Sequence, residues 1–202
     1  FSANPLPGLT SRLSPAWMEA EGACIETSLR GVSVPILDLQ ASIAWEALQA
    51  GKAGLAIPEK ANGRNVAIIG SGPAGLGAAA FLLEKGYSVQ LHEKSRILGG
   101  MPARVIPARR TGPLDREIEA LLEPALRANR LSISLGSEIL PGADLEKLRQ
   151  SVDAVLVCTG VWREPTLGGR GNGVLGGLEF LESFKSGERT SVPDRVAILA
   201  GG

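Results

Sequence analysis

A glycine-rich turn directly after an apolar run is the sequence feature that most constrains the fold. Residues 66–75 read Val-Ala-Ile-Ile-Gly-Ser-Gly-Pro-Ala-Gly, so β-branched residues lead into the pattern G-x-G-x-x-G. In this pattern Gly70 permits a tight turn, Gly72 lets the backbone approach a pyrophosphate, and Gly75 allows a helix to pack closely on the strand. The N-terminus of that helix offers unpaired N–H groups and a positive dipole end to phosphates. The motif predicts a dinucleotide-binding strand, turn and helix.

The residues around the turn supply the other parts of this unit, which matters because a lone glycine pattern recurs by chance. The sequence predicts a buried strand at 65–69, a helix at 76–85 that ends at Gly86, and a second short strand at 88–92. Glu93, at the tip of the second strand, is placed to accept hydrogen bonds from ribose hydroxyls. With all these parts in order, dinucleotide binding is favoured over a glycine-rich turn in another α/β domain.

The alternation of strands and helices continues along the chain. Hydrophobic periodicity predicts a helix at 114–129, a strand at 131–135, a short helix at 145–150 and a buried strand at 154–158. Such alternation implies right-handed crossovers and a mostly parallel sheet. The predicted fold class is therefore α/β, with a Rossmann-like domain that follows a small helical N-terminal domain.

The two ends of the chain suggest an incomplete polypeptide. The chain opens on Phe1 instead of methionine, and 196–202 is predicted to be a buried strand that breaks into glycines, as a second nucleotide-binding unit would begin. Asp38 is a plausible cap for a helix that ends at Gly51, and another short helix is predicted at 178–184. Three parts are expected: a helical N-terminal domain at 1–60, the nucleotide-binding domain at 61–165, and a connector with the first strand of a truncated domain at 166–202.

Charge and cysteine content exclude several classes of protein. The chain has 21 basic and 21 acidic residues, so its formal charge gives no case for binding nucleic acid or an anionic membrane. No apolar run reaches the roughly 18 residues that a membrane span needs. With only Cys24 and Cys158, a disulfide framework is excluded and a reducing cytoplasm is favoured. His92 is the only histidine, so no histidine-based metal site or catalytic triad has enough members.

Three further features of the sequence have plain structural interpretations. Arg104, Arg109 and Arg110 could meet a phosphate, but a solvated loop is the commoner explanation for such a cluster. The three tryptophans, Trp162 among them, are expected to pack between the helical segment and the sheet. Cys158 is expected to be a small core residue of the last strand rather than a reactive thiol.

A longer series of motifs accompanies the glycine-rich turn. In order they are Val-Ala-Ile-Ile-Gly-Ser-Gly-Pro-Ala-Gly-Leu at 66–76, His-Glu-Lys at 92–94, Leu-Gly-Gly-Met at 98–101, Ile-Pro at 106–107, Asp-Arg-Glu-Ile at 115–118 and Asp-Ala-Val-Leu-Val-Cys-Thr-Gly at 153–160. This series resembles the FAD domain of the glutamate synthase small subunit family. That family includes the homologous part of dihydropyrimidine dehydrogenase and related NAD(P)H-dependent flavin subunits.

The resemblance implies FAD, rather than NAD, as the cofactor on the glycine-rich turn. It implies Gly70, Ser71, Gly72, Pro73 and Ala74 around the pyrophosphate, Glu93 and Lys94 at the adenosine ribose, Gly99, Gly100, Met101 and Arg110 along the flavin side, Ile139 near the adenine, and Thr159 and Gly160 closing over the cofactor. On the residues alone, Thr159 and Gly160 would be interpreted only as a turn at a strand end. No catalytic residue is assigned.

The chain departs from that family in two ways. Family members carry a cysteine-rich N-terminal segment that binds iron–sulfur clusters, whereas here Ser14 stands at the first cysteine position and only Cys24 remains. Because such clusters typically need four thiolates, neither a cluster nor another metal is expected, and the N-terminal domain is kept for packing or partner docking. The family's NAD(P)H domain follows the position of Gly202, so NAD(P)H binding is expected only with that missing C-terminal domain.

Two functions remain open at this point. The first is the FAD-binding part of a cytoplasmic NAD(P)H-dependent oxidoreductase of the glutamate synthase small subunit type. It would pass electrons from NAD(P)H through FAD to a redox partner subunit, or to the remaining part of the same polypeptide, and the chain alone is expected to be incomplete for turnover. The second is a non-catalytic flavin- or nucleotide-binding structural subunit or fragment. The intact glycine pattern favours the first, and the lost cysteines favour the second.

Overall fold

A parallel sheet forms the centre of the fold. The computed structural model describes residues 4–14, 17–162 and 173–199, without the side chains of residues 17 and 18. Within these residues the strands are β1 (Asn65–Ile69), β2 (Ser88–Glu93), β3 (Leu131–Leu135) and β4 (Ala154–Val157), in the spatial order β3-β2-β1-β4.

All three strand pairings are parallel, as the alternation of strands and helices predicted. Ile68 of β1 lies opposite Leu91 of β2 and Leu156 of β4, and Leu91 lies opposite Ile133 of β3. Each connection from one strand to the next along the chain passes through at least one helix, which is the kind of crossover that parallel strands need. The predicted α/β fold class with a mostly parallel sheet is confirmed.

Helices of the described residues surround this sheet. They are α1 (Pro7–Leu13), α2 (Trp17–Gly22), α3 (Ile25–Arg30), α4 (Ile36–Gln49), α5 (Pro73–Glu84), α6 (Gly100–Arg104), α7 (Ala108–Thr111), α8 (Leu114–Arg127), α9 (Ala143–Ser151) and α10 (Gly177–Lys185). Helix α4 begins at Ile36, so Asp38 lies in its first turn and not at its N-cap as predicted. Helix α5 begins three residues earlier than predicted because Pro73 has a backbone suited to a first helical position. No helix of the described residues is long and apolar enough to cross a membrane.

The main hydrophobic core lies on one face of the sheet, under helices α5 and α8. Ile68 and Leu91 of the sheet pack there with Leu83 of α5 and Leu122 of α8, all 0–1% exposed. The N-terminal helix α1 also belongs to this core, since Leu6 and Leu9 are each 3% exposed within it. The N-terminal segment and the sheet therefore share one core.

The other face of the sheet is covered less completely, and strand β4 is more exposed than predicted. On that face, Ala67 and Ile69 of β1 form a smaller apolar cluster with Leu148 of helix α9. On β4, however, Leu156 is 38% and Val157 is 64% exposed. The prediction of a buried strand at 154–158 was wrong about burial because, among the described strands, β4 lies at the edge of the sheet and pairs on one side only, with β1.

The end of the described chain also differs from its prediction. Residues 196–199 form no strand, and Ile198 and Leu199 are 84% and 73% exposed. A strand needs a neighbour to satisfy its backbone N–H and C=O groups, and the described residues supply none at this position. Residues 200–202 of the predicted strand lie outside the described residues.

Candidate functional site

A cleft of about 890 Å³ lies at the carboxyl ends of strands β1, β2 and β4. In open parallel sheets this is the edge where ligands bind. The predicted site residues that line it are Gly70, Gly72, Pro73, Ala74, Glu93, Lys94, Gly100, Met101, Ile139, Thr159 and Gly160. The structure therefore brings most of the predicted residues to one site, although they come from separate parts of the chain.

Three predicted residues lie away from the cleft surface. Ser71 and Gly99 are buried beneath it, where the Gly99 N–H donates to the Ser71 carbonyl over 3.0 Å. Arg110 is exposed on α7 and is not part of the cleft lining. A cofactor contact from Arg110 stays a prediction.

Gly70 and Gly75 are required by the fold around the turn. Gly70 has φ +103°, and a Cβ there would lie 2.4 Å from the Cys158 carbonyl oxygen. A Cβ on Gly75 would lie 1.9 Å from the Gly70 carbonyl oxygen. Both glycines allow backbone segments to approach more closely than a side chain would permit, which brings helix α5 against the turn.

Gly72 has a different role because it faces open space. A Cβ there would meet, among the described atoms, only Gly100 Cα at 4.0 Å. Gly72 is also the N-cap of α5, and within the described part of the chain no side chain caps that helix. The first N–H groups of α5 therefore meet the cleft without a side-chain acceptor, and an anion there would be favoured by both the N–H groups and the helix dipole.

The Glu93 carboxylate is fixed at the end of β2 by hydrogen bonds. Glu93 Oε2 accepts from the Ser71 N–H at 2.8 Å and the Ser71 hydroxyl at 2.7 Å, and Oε1 accepts from the Ser95 N–H at 2.8 Å. Burial acts to raise the pKa of Glu93, but the hydrogen bonds from Ser95 and Ser71 outweigh it and hold the pKa below its ordinary value. Glu93 is therefore ionised at neutral pH and links the turn to the second strand.

Replacing Glu93 with glutamine tests this link. The amide nitrogen cannot accept a hydrogen bond, so E93Q should lose about 2 kcal/mol of unfolding free energy at pH 7, the scale of a bond to a charged group. Because the folded pKa is lowered, the carboxylate's contribution is present above the unfolded pKa and disappears as pH falls through the folded pKa. In urea unfolding, the difference in unfolding free energy between wild type and E93Q should shrink as the pH falls. A difference that does not change with pH would contradict a stabilising role for the ionised Glu93 carboxylate.

His92 is a wall residue of the cleft. Its Nδ1 lies 3.3 Å from the Ser137 hydroxyl, and its Nε2 is buried without a hydrogen-bond partner among the described residues. Burial lowers the pKa of His92, so the ring is neutral at pH 7. Within the described residues no group of three or more His, Cys, Asp or Glu side chains could hold a metal ion.

Cys158 also lines the cleft, at the end of β4. It is half-buried and packs against the main core. Burial raises the pKa of the Cys158 thiol, so the thiolate is disfavoured at neutral pH. These features agree with the prediction of a small packing residue.

Sequence reasoning missed several residues of the cleft lining, among them Arg104 and Trp162. The Arg104 guanidinium carbon lies 4.4 Å from the centroid of the Trp162 ring, and the Arg104 side chain is only 20% exposed. For Arg104 the interpretation as a solvated loop residue was therefore wrong, and Trp162 packs on an arginine instead of between the helical segment and the sheet. One available signal was that Arg104 lies three residues after Met101, close to one helical turn.

The fold and the site together define a class of protein, a Rossmann-like dinucleotide-binding domain. Its marks are the parallel sheet, the glycine-rich turn after the first strand, and the buried acid that ends the second strand. Residues 64–202 match the model of the family described as pyridine nucleotide-disulphide oxidoreductase, and the chain belongs to that family. The family domain binds a flavin and NAD(P).

Individual relatives make the resemblance more specific. The chain is 33% identical over 191 residues to the glutamate synthase [NADPH] small chain of Mycobacterium tuberculosis, covering 89% of this chain and 36% of that protein. The corresponding small chain of Bacillus subtilis is 30% identical over 169 residues, an alignment that covers 83% of this chain and 33% of that protein. The NADP(+)-dependent formate dehydrogenase subunit beta of Moorella thermoacetica is 34% identical over 146 residues, an alignment that covers 70% of this chain and 20% of that protein. The predicted resemblance to the glutamate synthase small subunit family is confirmed, and the chain spans between 20% and 36% of these relatives.

Proposed function

We propose that this chain is the FAD-binding part of an NAD(P)H-dependent oxidoreductase of the glutamate synthase small subunit type. The observation that carries the proposal is the open backbone cradle at Gly72, next to the uncapped N-terminus of helix α5. The adjoining cleft, at about 890 Å³, falls within the usual range of about 300–1,000 Å³ for a ligand pocket. The relatives supply the rest of the proposal, since their names describe NADPH- or NADP-linked redox subunits.

The donors and acceptors of the cleft suit a dinucleotide cofactor. The unpaired N–H groups at the start of α5 would hold the pyrophosphate without a basic side chain. Glu93, ionised and fixed by Ser71 and Ser95, would accept hydrogen bonds from the ribose hydroxyls. A carboxylate at this position also disfavours a 2′-phosphate, because two anions would lie side by side.

When bound, FAD supplies the electron-transfer chemistry, and the protein binds and orients it. Gly100 would keep the backbone close to the turn, since a Cβ there would lie 2.7 Å from Gly72 Cα. Thr159 and Gly160 would close the cleft on the side of β4. His92, neutral and buried at Nε2, would form part of the wall and take no part in proton transfer.

The remaining features of the proposal concern the rest of the enzyme. We infer three parts, at 1–60, 61–165 and 166–202, with NAD(P)H bound by a further C-terminal domain and electrons passed to a partner subunit or to another part of the same polypeptide. With two cysteines in 202 residues, the chain cannot supply the four thiolates that an iron–sulfur cluster typically needs. We place the protein in the cytoplasm, because its cysteine content fits a reducing compartment.

A non-catalytic flavin-binding subunit is the second candidate. It is favoured by Ser14, which stands where family members have the first cluster cysteine. Such a subunit would keep the cleft and lose the route for electrons through its N-terminal part. The two candidates agree on FAD binding and differ in whether the bound flavin is reduced.

A flavin titration followed by a reductant titration separates the candidates. The purified chain is incubated with FAD and desalted, and its visible spectrum is recorded before and after anaerobic NADH or NADPH. Retained flavin absorbance is expected, and a protein that stays colourless would contradict both candidates. The same titration on a longer polypeptide that includes the following domain should bleach the flavin if the protein is an oxidoreductase. Bound flavin that stays oxidised there would favour the structural subunit.

A further inference from the structure

Arg104, on helix α6, is held from two sides. Its Nε donates to Glu182 Oε1 over 2.7 Å, and its Nη2 contacts the same oxygen. On its other side the guanidinium lies over the Trp162 ring. Because Arg104 is ion-paired with Glu182, its charge is largely neutralised, which disfavours a role as a phosphate ligand.

Helix α10, which carries Glu182, has a second attachment to the same region. Lys185 Nζ donates to the Pro102 carbonyl over 2.8 Å and also to the Ile106 carbonyl. Burial lowers the pKa of Lys185, in keeping with its position between α10 and α6. Two attachments at Glu182 and Lys185, about one helical turn apart, define both the position and the rotation of α10 on α6.

Arg104 therefore brings together two segments that are separate in the sequence. Trp162 lies on Arg104, and α10 binds Arg104 through Glu182. Trp162 and Arg104 both line the cleft, together with Met101. An indole at this position presents a rigid aromatic surface, which suits stacking on a planar ring.

We propose that Arg104 is a positioning residue, held by Glu182, that fixes the Trp162 indole as the aromatic wall of the cleft next to Met101, where the flavin ring is received. This inference rests on the proposed FAD binding. It concerns the part of the cleft for which the sequence resemblance named only Gly99, Gly100, Met101 and Arg110. The cation–π contact orients the indole, and the ion pair with Glu182 keeps the guanidinium in place.

The first test needs no cofactor. In a W17F/W45F background Trp162 is the sole tryptophan, so the emission of the protein reports its surroundings. R104M removes the charge at similar length, E182Q removes the ion pair, and R109M is the matched control on the exposed part of α7. R104M and E182Q should shift the emission to longer wavelength and increase quenching by acrylamide, and R109M should change neither. Unchanged emission in R104M would overturn the positioning role.

The second test uses FAD. An indole next to an oxidised flavin quenches the flavin's fluorescence by donating an electron to the excited ring. W162L should therefore raise the emission of bound FAD and weaken its binding by up to about tenfold, the scale of one aromatic stacking contact. R104M should shift the flavin emission in the same direction, and W162F should retain more of the affinity than W162L.

The outcomes of the two tests are distinguishable. If flavin emission and FAD affinity are the same in W162L and wild type, Trp162 does not contact the flavin ring, and the proposed function still stands. If the wild-type chain fails to bind FAD, both the proposed function and the contact of Trp162 with the flavin are overturned. The emission of the sole Trp162 decides in every case whether Arg104 and Glu182 position the indole.

Discussion

Replacing Gly75 with alanine should destabilise the fold severely, by about 3 kcal/mol or more in unfolding free energy. The new Cβ would lie 1.9 Å from the Gly70 carbonyl oxygen and 3.0 Å from its carbonyl carbon. Both are backbone atoms of the turn, so no side-chain rotation relieves the clash. Helix α5 would have to move away from β1, and that movement would disturb Leu76 and Leu83, which are 1% and 0% exposed in the main core.

Gly72→Ala should behave in the opposite way. Alanine is compatible with the backbone of Gly72, at φ −65° and ψ 179°, and its methyl group would meet only Gly100 Cα at 4.0 Å among the described atoms. The fold should therefore retain its stability. The methyl group would occupy the space through which a pyrophosphate approaches the backbone, so FAD affinity should fall about tenfold or more, equal to at least about 1.4 kcal/mol.

Gly77→Ala is the matched control on the same helix. No described atom outside the helix backbone lies within 4 Å of the position where its Cβ would stand. Alanine in a helix interior is favoured over glycine by about 0.5–1 kcal/mol, so G77A should be as stable as wild type or slightly more stable, with unchanged FAD affinity. Urea unfolding and FAD titration of the three variants check the set. If G72A lost stability but bound FAD normally, the cradle would have a structural role instead.

These variants also illustrate what the sequence could predict. The strands at 65–69 and 131–135 were predicted with the bounds that the structure gives, because short apolar runs between turn residues carry a strong local signal. The cleft could be predicted because the glycine pattern specifies both a backbone conformation and its ligand. Gly70, Gly72 and Glu93 lie within 24 residues of the chain, and the intervening helix defines their geometry.

The parts that could not be predicted depend on long-range partners. Arg104 pairs with Glu182 across 78 residues, and neither side chain carries a local signal for the other. The exposure of β4 depends on what lies beside the sheet edge, whereas its apolar run resembles that of a central strand. Single-sequence patterns record periodicity along one segment and do not record which segments meet.

The attachment of helix α1 leads to the second prediction with a large expected effect. Glu117 of α8 is 4% exposed, and its two carboxylate oxygens accept hydrogen bonds from the Gly8 N–H at 2.7 Å and the Leu9 N–H at 3.0 Å. Glu117→Ala would leave both N–H groups without their acceptor and remove the contact that holds Leu6 and Leu9 in the core. A loss of about 3–4 kcal/mol in unfolding free energy is expected, since each buried unsatisfied group costs about 1–3 kcal/mol.

Two readouts check this attachment. Urea unfolding measures the loss, and limited proteolysis should cut E117A within the first fourteen residues under conditions where wild type is resistant. Glu119→Ala, an exposed position on the same helix, should change stability by no more than about 0.5 kcal/mol. Equal stability of E117A and E119A would show that α1 is held by apolar contacts alone.

The pH dependence of Glu117 should be opposite in sign to that of Glu93. Burial raises the pKa of Glu117, and the hydrogen bonds from Gly8 and Leu9 and the charge of Arg12 only partly oppose it. A raised folded pKa means that the folded state takes up the proton first, so wild type should gain stability over E117Q as pH falls from neutral through the folded pKa. The gain should level off near the unfolded pKa of glutamate, about 4.3. For each variant, the difference in unfolding free energy between wild type and variant is measured against pH. Opposite slopes for E117Q and E93Q would show that burial dominates the pKa of Glu117 and that hydrogen bonds dominate the pKa of Glu93.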